Sequence, residues 1–342
     1  MSAPSPSQAV SKWLADFGAA LAMGDVDAAV LMFGEECYWR DLVSFTWNLK
    51  TLESRQDIGA MLKARLADVA PSNWALEGEA SEAEGVAEGW FTFETAVSTG
   101  KGLVRLKDGK AWTLLTTMVS LKGHEEPAGP RRPRGVEHGP HHESTWAEAR
   151  DKEQAELGYS KQPYCLIVGG GQGGIALGAR LKRLSVPTII VEKNERPGDS
   201  WRKRYKTLCL HDPVWYDHLP YLPFPDHWPV FSPKDKIGDW LESYAKLMEL
   251  NYWSSTECKS AKYDEAKKEW TVEVNREGKP VTLHPKQLVL ATGMSAVPNI
   301  PEFPGAKAFK GEQHHSSRHP GPDAYKGKNC VVIGSNNSSQ DI

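Results

Sequence analysis

The first 123 residues show helical spacing of apolar side chains, followed by the alternation typical of strands. Helical spacing covers residues 8–33 in two segments and returns over Gln56–Leu66, with a strand-like segment at 37–42 between them. Later segments alternate with period two, and the last two join at Asp108-Gly109, a strong hairpin signal. These predicted strands are Trp74–Leu76, Val86–Val97, Gly102–Lys107 and Ala111–Leu121. Helices that precede an antiparallel sheet predict an α+β domain over residues 1–123.

The pattern then breaks, and a different one begins. Residues 124–145 contain four prolines and three glycines among charged residues. They cannot bury a core, so we predict a linker over 124–160, with a short polar helix at Thr145–Leu157 inside it. Beyond it, buried strands alternate with helices, which predicts an α/β domain. The predicted strands are Tyr164–Val168, Thr188–Val191, Thr256–Tyr263, Glu269–Val274, Val281–Leu283, Gln287–Leu290 and Cys330–Ile333, and the helices are Ile175–Leu184 and Ser232–Leu250.

Length, charge and cysteine content narrow the functional classes. The 342 residues suffice for two domains at about 150 residues each. A net charge of −3 offers no basic excess for nucleic acid, and no apolar run approaches the ~18 residues of a membrane span. The five cysteines are scattered without a CxxC pair, and the N-terminus lacks a secretory signal pattern. We therefore expect a cytoplasmic protein without a membrane span, a nucleic-acid partner or a metal site.

The strongest chemical signal is a glycine-rich loop between a buried strand and a helix. In the run GGGQGG at 169–174, Gly169 permits a tight turn and Gly171 lets the backbone approach a pyrophosphate. Gly174 lets the helix and strand pack closely, and the helix N-terminus stabilises phosphate charge. The next strand ends at Glu192, whose carboxylate can accept hydrogen bonds from ribose hydroxyls. This order of strand, GxGxxG, helix, strand and acid predicts a Rossmann-type dinucleotide-binding domain.

Several further motifs stand in a fixed order after this loop. They are Gly198-Asp199-Ser200-Trp201, Leu210-His211, the LATG run at 290–293, Phe309…Gly311…His315 with His319 four residues on, and a second nucleotide motif that starts at Gly334. With these motifs, residues 161–342 resemble the flavin-containing monooxygenases, nearest the YUCCA-like and fungal branch. Two departures stand out: His319 replaces the Trp, Pro or Tyr of the monooxygenase fingerprint, and the second loop keeps only its first glycine.

The resemblance implies two cofactors, FAD and NADP, and a monooxygenase reaction. NADPH would reduce FAD, and one oxygen atom of O2 would pass to a small organic substrate through a flavin hydroperoxide. The residues that would bind FAD are Gly169, Gly171, Gln172, Gly173, Gly174, Glu192, Lys193, Ser200, Trp201, His211, Ala291, Thr292 and Gly293. Those that would bind NADP are Gly334, Ser335, Asn336, Asn337 and Ser338.

The resemblance fixes no catalytic residue, and His211 and His315 are the candidates. His211 would line the flavin site or serve as a hydrogen-bonded structural residue. His315, in the fingerprint, is expected to couple the two nucleotide domains more than to act as a base. Trp201 would pack near the isoalloxazine ring, and its alternative role is a core residue.

Three other functions compete with this one. A Baeyer–Villiger oxygenase uses a related fingerprint, which His315 fits equally well. Disulfide-reducing flavoproteins share the two-dinucleotide plan, but they need a redox cysteine pair that this sequence lacks. A non-catalytic FAD-binding or interaction protein is the alternative from a different class.

The order of elements over 1–123 resembles the SnoaL-like, nuclear-transport-factor-like cone fold. Such cones enclose a pocket, and the resemblance makes Asp41 a candidate pocket base. The alternative is that Asp41 pairs with Arg40 or faces solvent. The resemblance also leads us to expect a homodimer formed through this domain.

The predicted domains are 1–123, the linker 124–160, an FAD-binding domain over 161–327 and the start of an NAD(P)H-binding domain over 328–342. Ile342 falls in the first turn of the helix that should bind the second pyrophosphate, so we expect a C-terminally truncated chain. Such a chain should bind FAD but bind NADPH weakly, and slow NADPH oxidation should yield hydrogen peroxide.

Overall fold

The computed structural model describes residues 4–135, 144–295 and 297–342. The chain divides into two compact units, Met1–Glu126 and Pro127–Ile342. Residues 136–143, inside the predicted linker, lie outside the described residues. In the described ranges, no helix is both long enough and apolar enough to span a membrane.

Three helices of the first unit begin at side-chain caps. They are α1 (Pro6–Ala22), α2 (Val26–Leu31) and α3 (Arg55–Val69). The hydroxyl of Ser5 accepts the amide of Gln8, whose side chain accepts the amide of Ser5 in return, so α1 starts in a reciprocal capping box. Asp25 caps α2 and Ser54 caps α3 in the same way, with one bond each.

A mainly antiparallel sheet completes the first unit. Its strands are β1 (Phe33–Leu42), β2 (Leu49–Leu52), β3 (Ser72–Leu76), β4 (Ser81–Ala83), β5 (Val86–Glu94), β6 (Ser98–Lys107) and β7 (Lys110–Leu121). They lie in the order β2-β1-β7-β6-β5-β3, with β4 paired to β5, and only β1 and β7 run parallel. The sequence pattern missed β2 and β4, because segments of four and three residues carry too few positions to show alternation.

Aromatic rings fill the core of this unit. They belong to Trp13, Phe17, Phe33, Trp39, Phe45, Trp74, Phe91 and Phe93. Two glycines of β6 make room for them: a Cβ on Gly100 would lie 2.3 Å from the ring of Phe93, and one on Gly102 would lie 2.2 Å from the ring of Phe91. The glycines are therefore packing requirements of this sheet.

The second unit contains a parallel sheet with the Rossmann arrangement. Its elements are α4 (Trp146–Glu156), β8 (Cys165–Val168), α5 (Gln172–Arg183), β9 (Thr188–Val191), α6 (Asp199–Arg202), α7 (Lys234–Leu247), β10 (Tyr252–Trp253), β11 (Thr256–Asp264), β12 (Glu269–Arg276), β13 (Lys279–Leu283), β14 (Gln287–Leu290) and α8 (Asn337–Asp341). The parallel strands lie in the order β10-β9-β8-β14, and β11-β12-β13 form a separate antiparallel sheet. The loop after β8 therefore lies at the carboxyl edge of the sheet, where such folds bind nucleotides.

One predicted strand is wrong. Residues 330–333 have no strand pairing, and the side chains of Val331, Val332 and Ile333 are 87%, 52% and 68% exposed. An apolar run becomes a parallel strand only when a neighbouring strand completes its hydrogen bonds and both its faces are covered. In the part of the chain that the structure describes, neither condition holds at this segment.

Candidate functional site

The glycine-rich loop joins β8 to α5, and its first and last glycines are fixed by close backbone contacts. Gly169 has φ +108°, and a Cβ there would lie 2.3 Å from the carbonyl oxygen of Ala291. A Cβ on Gly174 would lie 2.0 Å from the carbonyl oxygen of Gly169. Any side chain at either position would displace backbone, so the tight turn and close packing expected from the sequence are both present.

Two of the three glycines between them, Gly171 and Gly173, face open space. A Cβ on Gly171 would meet only the hydroxyl of Ser200, at 3.8 Å, and one on Gly173 would meet nothing within 4 Å. Gly171 is the N-cap of α5, and no side chain caps that helix. The first amide groups of α5 therefore face an open space that a side chain at Gly171 or Gly173 would occupy, and we call this space the cradle. The positive end of the helix dipole faces it as well. A phosphate group fits this cradle.

Gly170 is held through both of its backbone polar groups. Its amide donates to Oε2 of Glu192 at 2.8 Å, and its carbonyl oxygen accepts the hydroxyl of Tyr252 at 2.9 Å. Burial raises the pKa of Tyr252, with the charge of Glu192 adding to the effect, so the phenol stays a neutral donor. Sequence reasoning missed Tyr252, because it lies in a strand of two residues far along the chain.

Glu192 lies where the motif places it, at the end of β9, but most of its hydrogen-bonding capacity is used within the protein. The residue is 8% exposed. Its Oε1 accepts both the amide and the side-chain nitrogen of Asn194, at 2.9 and 2.7 Å, while Oε2 accepts Gly170. A carboxylate offers about four acceptor positions, so one remains on Oε2. The neighbouring Lys193 is exposed.

The short helix α6 places two predicted site residues beside the loop. Trp201 donates its indole N–H to Oε1 of Gln172 at 3.1 Å, and Ser200 is the neighbour of Gly171 described above. The helix begins at Gly198, whose φ is +86° and where a Cβ would lie 2.1 Å from the carbonyl oxygen of Gly238 on α7. The motif Gly198-Asp199-Ser200-Trp201 thus brings the backbones of α6 and α7 into contact, and it also supplies side chains that lie beside the glycine-rich loop.

Arg202 contacts three carboxylates, one within α6 and two on α7, and so fixes the two helices to each other. Its guanidinium lies 3.1 Å from Asp199, 2.8 Å from Asp239 and 2.7 Å from Glu242. Burial by itself would raise the pKa of Asp199, but hydrogen bonds from Arg202 and Arg196 outweigh burial and lower it. The orientation of Trp201 towards the loop is therefore fixed before any ligand binds.

The ATG segment lies against the same loop. The amide of Ala291 donates to the carbonyl oxygen of Val168 at 2.8 Å, which extends the pairing of β14 with β8. Gly293 has φ +75°, so the chain turns away after Thr292. Ala291 closes the loop through its contact with Gly169, whereas the side chain of Thr292 makes no hydrogen bond to any of the described residues.

The second nucleotide motif has a different structure. Gly334 and Ser335 precede α8 without a strand before them, and Asn336 caps the helix through the amide of Asn337. In the described residues, this segment lacks the strand of the predicted strand–loop–helix site and keeps the loop and a helix of five residues. The side chain of Asn337 instead contacts Nδ1 of His211 at 2.7 Å.

The two candidate histidines differ in what they contact. His211 contacts α8 through both ring nitrogens, since its Nε2 lies 2.8 Å from Oδ2 of Asp341. His315 caps a single 3-10 turn, where its Nδ1 lies 2.9 Å from the hydroxyl of Ser317. His319 stacks on Tyr325 with ring centroids 5.2 Å apart, so an imidazole ring takes the place of the expected aromatic or Pro residue.

In the first unit, Asp41 neither pairs with Arg40 nor faces solvent, so that alternative is wrong. It is completely buried, and its carboxylate accepts the amides of Phe45 and Thr46 and the hydroxyls of Thr46 and Thr116. These donors hold the turn that follows β1. An open cleft of about 880 Å³ lies between residues 46–53 and α3, and Asp41 does not line it.

Comparison with known proteins decides the family. A family model described as pyridine nucleotide-disulphide oxidoreductase matches residues 166–342. The chain belongs to this family. Within it, the chain is 34% identical over 179 residues to probable indole-3-pyruvate monooxygenase YUCCA9 of Arabidopsis thaliana, which covers 52% of this chain and 42% of that protein. Indole-3-pyruvate monooxygenase YUCCA1 of Oryza sativa subsp. japonica is 34% identical over 181 residues, covering 53% of this chain and 44% of that protein.

These relatives confirm the predicted resemblance to flavin-containing monooxygenases. The chain spans less than half the length of the two curated relatives. Among solved structures, a mutant flavin monooxygenase from Stenotrophomonas maltophilia aligns with a TM-score of 0.48 and 23% identity over 52% of each chain.

The family's name refers to disulfides, but the cysteines of this chain do not form one. All five lie in the described ranges, and all are free. Burial raises the pKa of Cys165, in β8, to about 11, so that thiol stays protonated and unreactive near neutral pH.

Proposed function

We propose that the chain binds FAD and functions as a flavin-dependent monooxygenase, with NAD(P)H as reductant and O2 and a small organic molecule as substrates. The observation that carries the proposal is the cradle at Gly171 and Gly173, which opens onto an uncapped helix N-terminus. The confirmed resemblance to monooxygenases supports the reaction class.

When bound, FAD supplies the redox and oxygen-activating chemistry that side chains lack. The chain's own residues bind and orient it. The amides at 171–174 would donate hydrogen bonds to the pyrophosphate oxygens, and the free acceptor position on Oε2 of Glu192 would accept a ribose hydroxyl. Gln172 and Trp201, fixed to each other, form one side of the entrance to the cradle. Ser200, Lys193 and the segment 291–293 complete the proposed FAD contacts.

We assign NAD(P)H to the segment Gly334–Ser338, in which Ser335, Asn336 and Asn337 would also contact it. The family description, which names a pyridine nucleotide, supports this assignment. His211 and His315 stay the candidates for catalysis. The relatives' names make an aromatic 2-oxo acid the first substrate class to test.

The experiment for FAD binding is Gly171→Leu in the full chain. Since a Cβ at this position meets only open space, the larger side chain would fill the cradle and leave the fold intact. We expect the wild-type chain to purify with bound FAD and Gly171→Leu to lose it. Ala67→Leu, at an exposed position of α3, is the control for added bulk and should keep the cofactor. Stoichiometric FAD in Gly171→Leu would overturn the assignment.

A second measurement separates the enzyme from a non-catalytic FAD-binding protein. NADPH is added to the FAD-loaded chain while the flavin absorbance near 450 nm is followed. Bleaching that reverses with oxygen supports the monooxygenase, whereas a band that NADPH leaves unchanged favours the binding protein.

For the remainder of the molecule, we propose the boundaries 1–123, 124–160, 161–327 and 328–342 as the domains. We also propose that the first unit is a SnoaL-like cone that forms a homodimer, and that the protein is cytoplasmic. The support for the cone is the packing of α1, α2 and α3 against a mainly antiparallel sheet. Limited proteolysis of the full chain should cut first within 124–145, and sedimentation should give the mass of a dimer.

A further inference from the structure

Three side chains from one short segment converge on a single residue of α8. The hydroxyl of Tyr205 donates to Oδ2 of Asp341 at 2.6 Å, and Nε2 of His211 lies 2.8 Å from the same oxygen. The hydroxyl of Thr207 donates to the carbonyl oxygen of Asp341 at 3.1 Å. Tyr205 is 4% exposed, so this cluster is partly shielded from water.

The second nitrogen of His211 extends the cluster to the nucleotide motif. Its Nδ1 lies 2.7 Å from Nδ2 of Asn337. An amide nitrogen can only donate, so Nδ1 accepts, and the ring proton lies on Nε2, where it is donated to Asp341. One imidazole thus makes hydrogen bonds with the side chains of both the first and the last residue of α8.

The same segment contacts the first glycine-rich loop at its other end. Trp201 donates to Gln172, and Tyr205 follows Trp201 by four residues. Lys234 donates to the carbonyl oxygen of Arg202 at 2.6 Å, and its amide donates to the carbonyl oxygen of Leu208 at 3.0 Å, which fixes the segment against α7. Residues 199–211 therefore form a fixed connection between the two motifs.

We infer that Tyr205 and His211 are positioning residues that hold the second nucleotide motif, 334–341, in a defined place relative to the first glycine-rich loop. They act through Asp341 and Asn337 and touch neither cofactor themselves in this role. The coupling that the sequence suggested for His315 is made by His211. Only the assignment of NAD(P)H to the second motif rests on the proposed function; the contacts with α8 do not.

The test is amide hydrogen exchange of the peptide that covers 335–342, measured in the full chain. Tyr205→Phe keeps the ring and removes the hydroxyl, and His211→Phe replaces the imidazole by a ring without polar atoms. We expect exchange at least about tenfold faster in both, the effect of losing one hydrogen bond to a charged group. Tyr159→Phe, which removes a phenol that accepts from Arg276 at 2.9 Å, is the matched control and should leave this peptide unchanged.

Two further variants separate positioning from a general loss of structure. In His211→Gln the amide can still donate to Asp341, so part of the protection should return. Asp341→Ala should speed exchange, and adding Tyr205→Phe to it should have little further effect, because each change removes the bond between Tyr205 and Asp341. Unchanged exchange in Tyr205→Phe and His211→Phe would overturn the inference.

The outcome is independent of whether the proposed function holds. FAD content is measured on the same samples and should be the same in Tyr205→Phe as in the wild type. A wild-type chain that retains no FAD contradicts the proposed function, whereas the exchange comparison still decides the role of Tyr205 and His211. If both hold, NADPH binding should weaken about tenfold in Tyr205→Phe, while the FAD content of this variant stays equal to that of the wild type.

Discussion

Tyr252 and Glu192 hold the same residue of the glycine-rich loop, Gly170, one through its carbonyl oxygen and the other through its amide. A loop of successive glycines loses much conformational freedom when it becomes ordered, and these two bonds restrict it before a ligand arrives. A Cβ on Gly170 would lie 2.1 Å from the Tyr252 hydroxyl, so the phenol also explains why a glycine stands at this position.

Tyr252→Phe should weaken FAD binding without unfolding the protein. The change leaves the carbonyl oxygen of Gly170 without its donor, at a cost of about 1 kcal/mol, which corresponds to about fivefold in the dissociation constant. Quenching of flavin fluorescence on titration measures the affinity. Tyr263→Phe, at a more exposed ring that packs on Trp270, is the control. Equal affinities for the wild type and Tyr252→Phe would show that the hydroxyl does not order the loop.

Gly174→Ala and Gly173→Ala should have opposite effects on stability. A methyl group at Gly174 would lie 2.0 Å from the carbonyl oxygen of Gly169, so the strand and helix must separate. A methyl group at Gly173 meets no atom within 4 Å, and alanine favours the helix by about 0.5–1 kcal/mol over glycine. Thermal unfolding of the two variants without FAD should therefore show a lower midpoint for the first only. A lower midpoint in both would contradict the open cradle.

The glycine-rich loop could be located from sequence because the constraint on each glycine is local. Gly169 needs a positive φ, Gly174 needs a close backbone contact, and both lie within a few residues of the strand and helix that impose them. Tyr252 lies 82 residues from Gly170 along the chain, so no spacing rule reaches it. Asp341 and His211 are separated by 130 residues for the same reason.

The predicted strand at 330–333 shows a second limit. Its apolar run is typical of a buried strand. A parallel strand also needs a neighbouring strand to pair with, and the local sequence pattern does not show whether one is present. Asp41 is similar: its neighbours suggested pairing with Arg40, whereas the turn folds back and surrounds it with four donors. The strand at 330–333 failed because its partner would lie in distant chain, whereas Asp41 was misread although three of its four donors come from Phe45 and Thr46 in the next turn.

Asp41→Asn should destabilise the first unit without affecting FAD content. The carboxylate accepts two amides and two hydroxyls, and an amide nitrogen in its place would face donors. We expect a loss of about 2 kcal/mol in the free energy of unfolding. Arg40→Gln is the control, because Arg40 is exposed and donates to Thr51 and not to Asp41. If Arg40→Gln cost as much as Asp41→Asn, the two residues would be coupled after all.

The contacts of α8 should depend on pH at both extremes. A hydrogen bond from Tyr205 lowers the pKa of Asp341, with His211 contributing, so the stabilisation is fully present above the ordinary value of about 4. It is lost as the pH falls through the lower native value.

At the other extreme, burial raises the pKa of Tyr205 to about 12, with the hydrogen bond to Asp341 adding to burial and Ser338 and Arg204 opposing it. That stabilisation is fully present below the ordinary value of about 10, and it is lost as the pH rises through about 12. The protection of peptide 335–342, corrected for the intrinsic exchange rate, should therefore fall as the pH drops below about 4 and again as it rises above about 10. Tyr205→Phe should remove the alkaline decline and keep the acid one; an alkaline decline that persists in this variant would assign it to another group.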